Sequence, residues 1–149
     1  MKLKISARLL LWAYTLFMLY LMLFGRIGTV SFDSYSQYLS EHFSILPFRF
    51  VVDYLKSVPV NGIYNVEMRN IIGNIFLFFP FGILVPTAFG RLRRFGAFIV
   101  TFALAIAAIE LLQLFLALGS LDIDDLLLNC TGAAVGFLVY RAAFRSVAQ

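Results

Sequence analysis

From Leu9 to Phe24 the chain reads "LLLWAYTLFMLYLMLF", a run without a charged residue. Three further apolar stretches follow, over 70–90, 95–118 and 125–144. A hydrocarbon layer about 30 Å thick takes about 20 helical residues at a rise of 1.5 Å each. Inside lipid, a helix satisfies its backbone polar groups without outside help. The pattern therefore predicts an all-α, polytopic membrane protein with four transmembrane helices, at about 5–24, 70–90, 95–118 and 125–144. The fourth is the most polar at its start.

Composition narrows the class further. The chain is 62% hydrophobic and 13% charged, whereas soluble domains carry about 25% charged residues. No polar or Pro/Gly-rich linker interrupts it, so residues 1–149 read as a single domain. The basic N-terminus imitates a signal peptide, but its apolar run is long and no small-x-small site precedes Arg26, so it reads as the first span. The formal charge of +4 does not imply nucleic acid, because the basic residues are scattered at span ends. Cys130 stands alone inside a span and supports neither a disulfide nor a zinc or redox motif.

Loop charge sets the expected orientation. Lys2, Lys4, Arg8, Arg91, Arg93, Arg94, Arg141 and Arg145 fall on one side, with no acid among them. The other side holds Arg26, Arg49, Lys56 and Arg69 together with Asp33, Glu41, Asp53, Glu67, Asp122, Asp124 and Asp125. The positive-inside bias makes the first side cytoplasmic and puts both termini there.

Between spans one and two, "SILPFRFVVDYLKSV" predicts a short amphipathic helix on the outer surface or across the bundle mouth, as a cap or a lid. Pro47 suits its first turn. Phe48, Val51, Val52 and Leu55 recur on one face. Tyr35, Tyr38, Phe43 and Tyr54 suit a membrane interface.

The most informative residues are polar ones inside the spans. Arg69, Asn70 and Asn74 open span two; Glu110 and Gln113 lie three apart in span three; Asp122, Asp124, Asp125 and Asn129 open span four. Spans two and four run inward and span three outward, so all reach the outer half of the bilayer. A carboxylate facing lipid is costly, so Glu110 is expected to face the bundle interior or a wet cavity. Two explanations stand: interhelical hydrogen bonding, with Gly82, Gly132 and Gly136 allowing close packing, or an outer-leaflet polar pocket. Pro80 is expected to kink span two.

At this point the chain resembles the VanZ-like family of bacterial membrane proteins. "IELLQLFLALGSLDIDDLLLNCTGAAVG" is similar to the family signature, "NIIGNIFLFFPFG" to its second block, and "SILPF" to its outer-loop motif. The resemblance covers roughly Ser44 to Tyr140. It carries over Pro47, Phe48, Asn70, Asn74, Pro80, Phe81, Gly82, Glu110, Gln113, Asp122, Asp125, Asn129 and Gly132. The family often has Asn where this chain has Ser44, and does not require the acid at Asp124. The resemblance implies a bacterial cell-envelope role and an association with resistance to teicoplanin and related lipoglycopeptides.

Three functions follow as expectations. The first is a non-catalytic protein whose outer-leaflet pocket binds a membrane lipid, a lipid-linked cell-wall component or the lipid tail of a lipoglycopeptide. The second is an intramembrane enzyme with Glu110 as general base, with Asp122 and Asp125 as weak candidates for a divalent cation. It has no Ser–His or Cys–His pair, since His42 is the only histidine and reads as a solvated loop residue. The third is a transporter subunit; no GxxxxGK[S/T] loop is present to drive it. No cofactor is implied, and oligomeric state is not legible.

Overall fold

The computed structural model describes residues 2–24, 33–61, 63 and 65–144. Arg26 and Arg145 of the charge pattern lie outside the described residues. Four long helices form the bundle: α1 (Lys2–Phe24), α4 (Val66–Ala88), α5 (Phe95–Phe115) and α6 (Ile123–Phe144). Each is long and apolar enough to cross a membrane. Two shorter helices, α2 (Tyr35–His42) and α3 (Arg49–Asn61), lie between α1 and α4, and a 3-10 turn (Gly90–Arg93) joins α4 to α5. With four spans, the start of α1, the α4–α5 turn and the end of α6 share one end, rich in basic residues. The α2–α3 segment and the α5–α6 turn share the opposite, acidic end.

Two-residue strands, β1 (Phe43–Ser44) and β2 (Leu121–Asp122), pair in parallel, with Phe43 opposite Leu121. They tie the α2–α3 segment to the α5–α6 turn. Hydropathy carries no signal for so short a pairing, so the helical reading of the chain omits it.

The closest packing is between α4 and α6. A Cβ at Gly82 would lie 2.1 Å from the Ala133 carbonyl oxygen, one at Gly132 2.4 Å from that of Ile75, and one at Gly136 2.0 Å from that of Phe79. The backbones touch there, as small residues permit in membrane helices. Next to this seam, Phe98 stacks on Phe137 at 5.0 Å, and Phe81 meets Phe102 at 5.8 Å. α1 packs against α4: the Tyr14 hydroxyl donates to the Leu77 carbonyl at 2.7 Å, and its ring lies 5.2 Å from Phe81. α4 remains one helix through Pro80 and Pro86. At the basic end, Arg8 donates to the Ala88 carbonyl at 3.3 Å, where a cation complements the C-terminus of α4.

Element ends depart from the hydropathy reading where caps decide them. α4 begins at Val66, before Asn70, because the Asn65 side chain accepts from the Met68 amide at 2.9 Å. α5 stops at Phe115, before Leu118. Ala117 takes a left-handed φ of 54°, while Leu118 N–H bonds the Gln113 carbonyl at 2.9 Å and Ala117 N–H that of Leu114 at 3.2 Å. This is a Schellman cap, a position that usually holds Gly, so the sequence gives no stop signal there.

Pro47 is not in the first turn of a helix, as expected, but in the turn before α3. Phe48, with φ 64°, completes that turn. Phe50, Tyr54, Ser57 and Val58 form the partly buried face of α3, whereas Phe48, Val51, Val52 and Leu55 are exposed. The apolar stripe thus points away from the bundle, where it can meet lipid.

Candidate functional site

A cavity of about 150 Å³ lies in the half of the bundle nearer the acidic end. Asn74 reaches it from α4, Glu110 and Gln113 from α5, Asp125 and Asn129 from α6, and Ser120 from the α5–α6 turn. Met18, Leu21 and Met22 of α1 close it on one side. The opposite run of α5 relative to α4 and α6 brings a residue late in α5 level with residues early in the other two. The helical period then turns each side chain inward: Glu110 and Gln113 are three apart, and Asp125 and Asn129 four apart, so each pair shares a face.

Three of these side chains are buried where burial of a polar group is costly, and Asn74, Ser120 and Asp125 are half-buried. Glu110 is 3% exposed, Gln113 5% and Asn129 3%. Asn74 Nδ2 donates to Asp125 Oδ1 at 3.2 Å, joining α4 to α6. Gln113 Nε2 donates to the Met22 carbonyl at 2.5 Å, joining α5 to the last turns of α1. Asn129 Oδ1 is buried with no hydrogen-bond partner among the described residues. An unmet polar atom in such a place costs about 1–3 kcal/mol.

The rim of the site is held by a residue that sequence reasoning undervalued. Asp124, read as an added acid, is 4% exposed and accepts from the amides of Phe48 at 2.6 Å and Phe50 at 2.9 Å. It caps α3 with a charge from another helix and pins the outer segment to α6. The left-handed turn at Phe48 aims those two amides at one carboxylate. An acid early in a helix reads as a local cap, so nothing in the sequence points to a partner some 75 residues away. Tyr38 was read as an interfacial aromatic but is fully buried; its hydroxyl donates to the Gly119 carbonyl. Burial raises its pKa, so it stays a donor. His42, read as solvated, is half-buried and stacks on Tyr38 at 4.4 Å.

Three residues expected in the polar group fall outside the cavity lining. Arg69 and Asn70 are exposed. Asn70 shares a face with Asn74 but sits one turn, about 6 Å, nearer the acidic end. Asp122 spends its carboxylate on the Asp124 amide, at 2.9 Å, at the start of α6. Asp122 and Asp125 are therefore not gathered in the cavity. Among the described residues no group of three or more His, Cys, Asp or Glu side chains is placed to hold a metal ion.

A second, apolar space of about 310 Å³ adjoins the first. It lies between α1 and α5, with α4 as its back wall, because α1 packs on α4 and α5 on α6. Met18, Met22 and Phe78 line both spaces. Its lining extends along α1 from Leu11 to Met22, about 16 Å of helix. Trp12, Thr101 and Ala105, all exposed, mark its open side.

The family model described as VanZ/LLP1 matches residues 11–145 of the chain. Protein VanZ of Enterococcus faecium is 34% identical over 77 residues, a match covering 50% of this chain and 45% of that protein. The match therefore spans less than half the length of that relative. No solved structure matches the chain.

Proposed function

The chain belongs to the VanZ/LLP1 family of multi-pass bacterial membrane proteins, and on that premise we propose that it binds a membrane amphiphile, a lipid or a lipid-linked cell-wall component. The polar head occupies the cavity of Asn74, Glu110, Gln113, Asp125 and Asn129, and the alkyl chain follows the slot between α1 and α5. The charge pattern supports an orientation with both termini in the cytoplasm and the cavity in the outer leaflet.

One observation carries this reading: a polar cavity shares Met18, Met22 and Phe78 with an adjoining apolar slot of ligand-sized volume, about 310 Å³. Ligand sites are concave, mostly apolar and supplied with a few converging polar groups. Helices held together by hydrogen bonds alone need no such space, since protein interiors are close-packed. The resemblance to teicoplanin-resistance proteins extends the proposal. A protein that holds an outer-leaflet amphiphile would compete for the lipid tail of a lipoglycopeptide or for the lipid-linked material the drug attacks.

Native mass spectrometry of the protein in mild detergent, with lipid identification, tests the reading. The expected result is a retained lipid that is lost from folded Glu110→Gln and Asn74→Ala variants. Equal retention on all three refutes the pocket. A chemically altered ligand on the unmodified protein would instead favour the enzyme reading, in which Glu110 is the candidate general base.

A further inference from the structure

We infer that the head group this cavity selects is a cation, a primary ammonium rather than a phosphate. The inference rests on the amphiphile-binding reading above and adds the chemistry of the head.

The cavity is rich in acceptors and poor in donors. Two carboxylates, Glu110 and Asp125, line it, and among the described residues no Lys, Arg or His does. Two of the cavity's amides already use a donor: Asn74 donates to Asp125 and Gln113 to the Met22 carbonyl. Asn129 supplies the independent observation. Its Oδ1 is buried, borders the cavity and has no donor among the described residues. A ligand that completes this site must bring donors.

An ammonium brings three N–H donors and a positive charge, and has no acceptor to leave unmet. A phosphate brings only acceptors and negative charge, and would face two carboxylates where water screens poorly. A hard metal ion fits less well. Mg²⁺ and Ca²⁺ take six or more oxygens arranged around the ion, and here Met18, Leu21 and Met22 make one side of the cavity apolar. Met18 and Met22 of that wall also line the apolar slot, which suits an organic cation continuing as an alkyl chain. The ammonium can come from an amine-headed phospholipid or from an amine on a lipid-linked ligand.

Trp12, the only tryptophan, lies on the open side of the slot and serves as a native reporter. Protein in a neutral maltoside detergent is titrated with terminally brominated dodecylammonium and brominated dodecyl phosphate, whose bromine quenches tryptophan emission. Saturable quenching by the ammonium at about tenfold or more lower concentration than the phosphate is expected. Folded Asp125→Asn and Glu110→Gln variants are expected to narrow that ratio. Should a variant fail to fold, the comparison of heads on the unmodified protein decides alone.

Saturable quenching with equal or stronger binding of the phosphate overturns the inference and leaves the amphiphile site standing. No saturable quenching by either head overturns both. Displacement of the bromoalkyl ammonium by phosphatidylethanolamine assigns the amine to a phospholipid. Ammonium binding that phosphatidylethanolamine does not displace removes that phospholipid as the source of the amine.

Discussion

The α4–α6 seam and the α1–α5 gap both lie between helices apolar enough to cross a membrane, and they do opposite things. At the seam, Gly82, Gly132 and Gly136 remove every side chain that could hold the backbones apart. Across the gap, methionine and phenylalanine side chains and Trp12 stand between helices that pack on other partners, and a space remains. In lipid, hydrophobicity does not drive helices together, so side-chain size decides which faces meet. The seam fixes Asn74, Asp125 and Asn129 relative to one another. The gap lies beside the polar atoms so fixed and shares Met18, Met22 and Phe78 with their cavity.

The comparison breaks most completely at the seam. Gly136→Leu would force a side chain onto the Phe79 carbonyl, 2.0 Å from an ideal Cβ. A destabilisation of about 3 kcal/mol or more is expected, read as loss of folded protein in detergent unfolding. Gly73→Ala is the matched control on α4. Its Cβ meets nothing within 4 Å, so stability should stay level or rise by up to about 1 kcal/mol from helix propensity.

The rim should respond less strongly. Asp124→Ala removes the acceptor of two backbone amides, with an expected cost of about 2–3 kcal/mol. Hydrogen exchange at Phe48 and Phe50 should accelerate more than exchange along α4. Equal protection of those amides in the variant would show that β1–β2 pairing alone holds the outer segment.

Smaller effects sharpen the role of α5, which borders both regions. Ala117→Gly relieves a left-handed alanine at the cap and should stabilise by about 0.5–1 kcal/mol. A lower unfolding midpoint would mean the cap is not left-handed. Ala105→Trp fills the open side of the gap, away from the seam. Its unfolding midpoint should stay within about 0.5 kcal/mol of the parent, as for surface changes, while co-purified lipid is lost. Unchanged lipid retention would place the alkyl chain elsewhere.

Much of the architecture could be read from the chain, and the reasons are specific. The spans are legible because a lipid-exposed helix needs apolar side chains on nearly every face, and Leu9–Phe24 runs without a charged residue. The level shared by Asn74, Glu110 and Asn129 follows from span direction and helical rise. The failures share one cause. Arg69, Asn70 and Asp122 have the right residue types at nearby positions, but one turn of offset or one local cap removes each from the cavity. Asp124 and Tyr38 bond to backbone groups far along the chain, and backbone groups leave no mark in sequence.

By itself the sequence determined the four crossings, their alternating direction, and the presence of carboxylates and amides where lipid does not tolerate them. Those properties depend on local length, charge and periodicity, which a single chain displays. The tertiary structure was needed to show which polar atoms are already hydrogen-bonded, that Asn129 Oδ1 is not among the described residues, and that an apolar slot lies beside them. Those facts depend on how closely each pair of helices approaches, a distance set by side chains that meet across the bundle rather than along it.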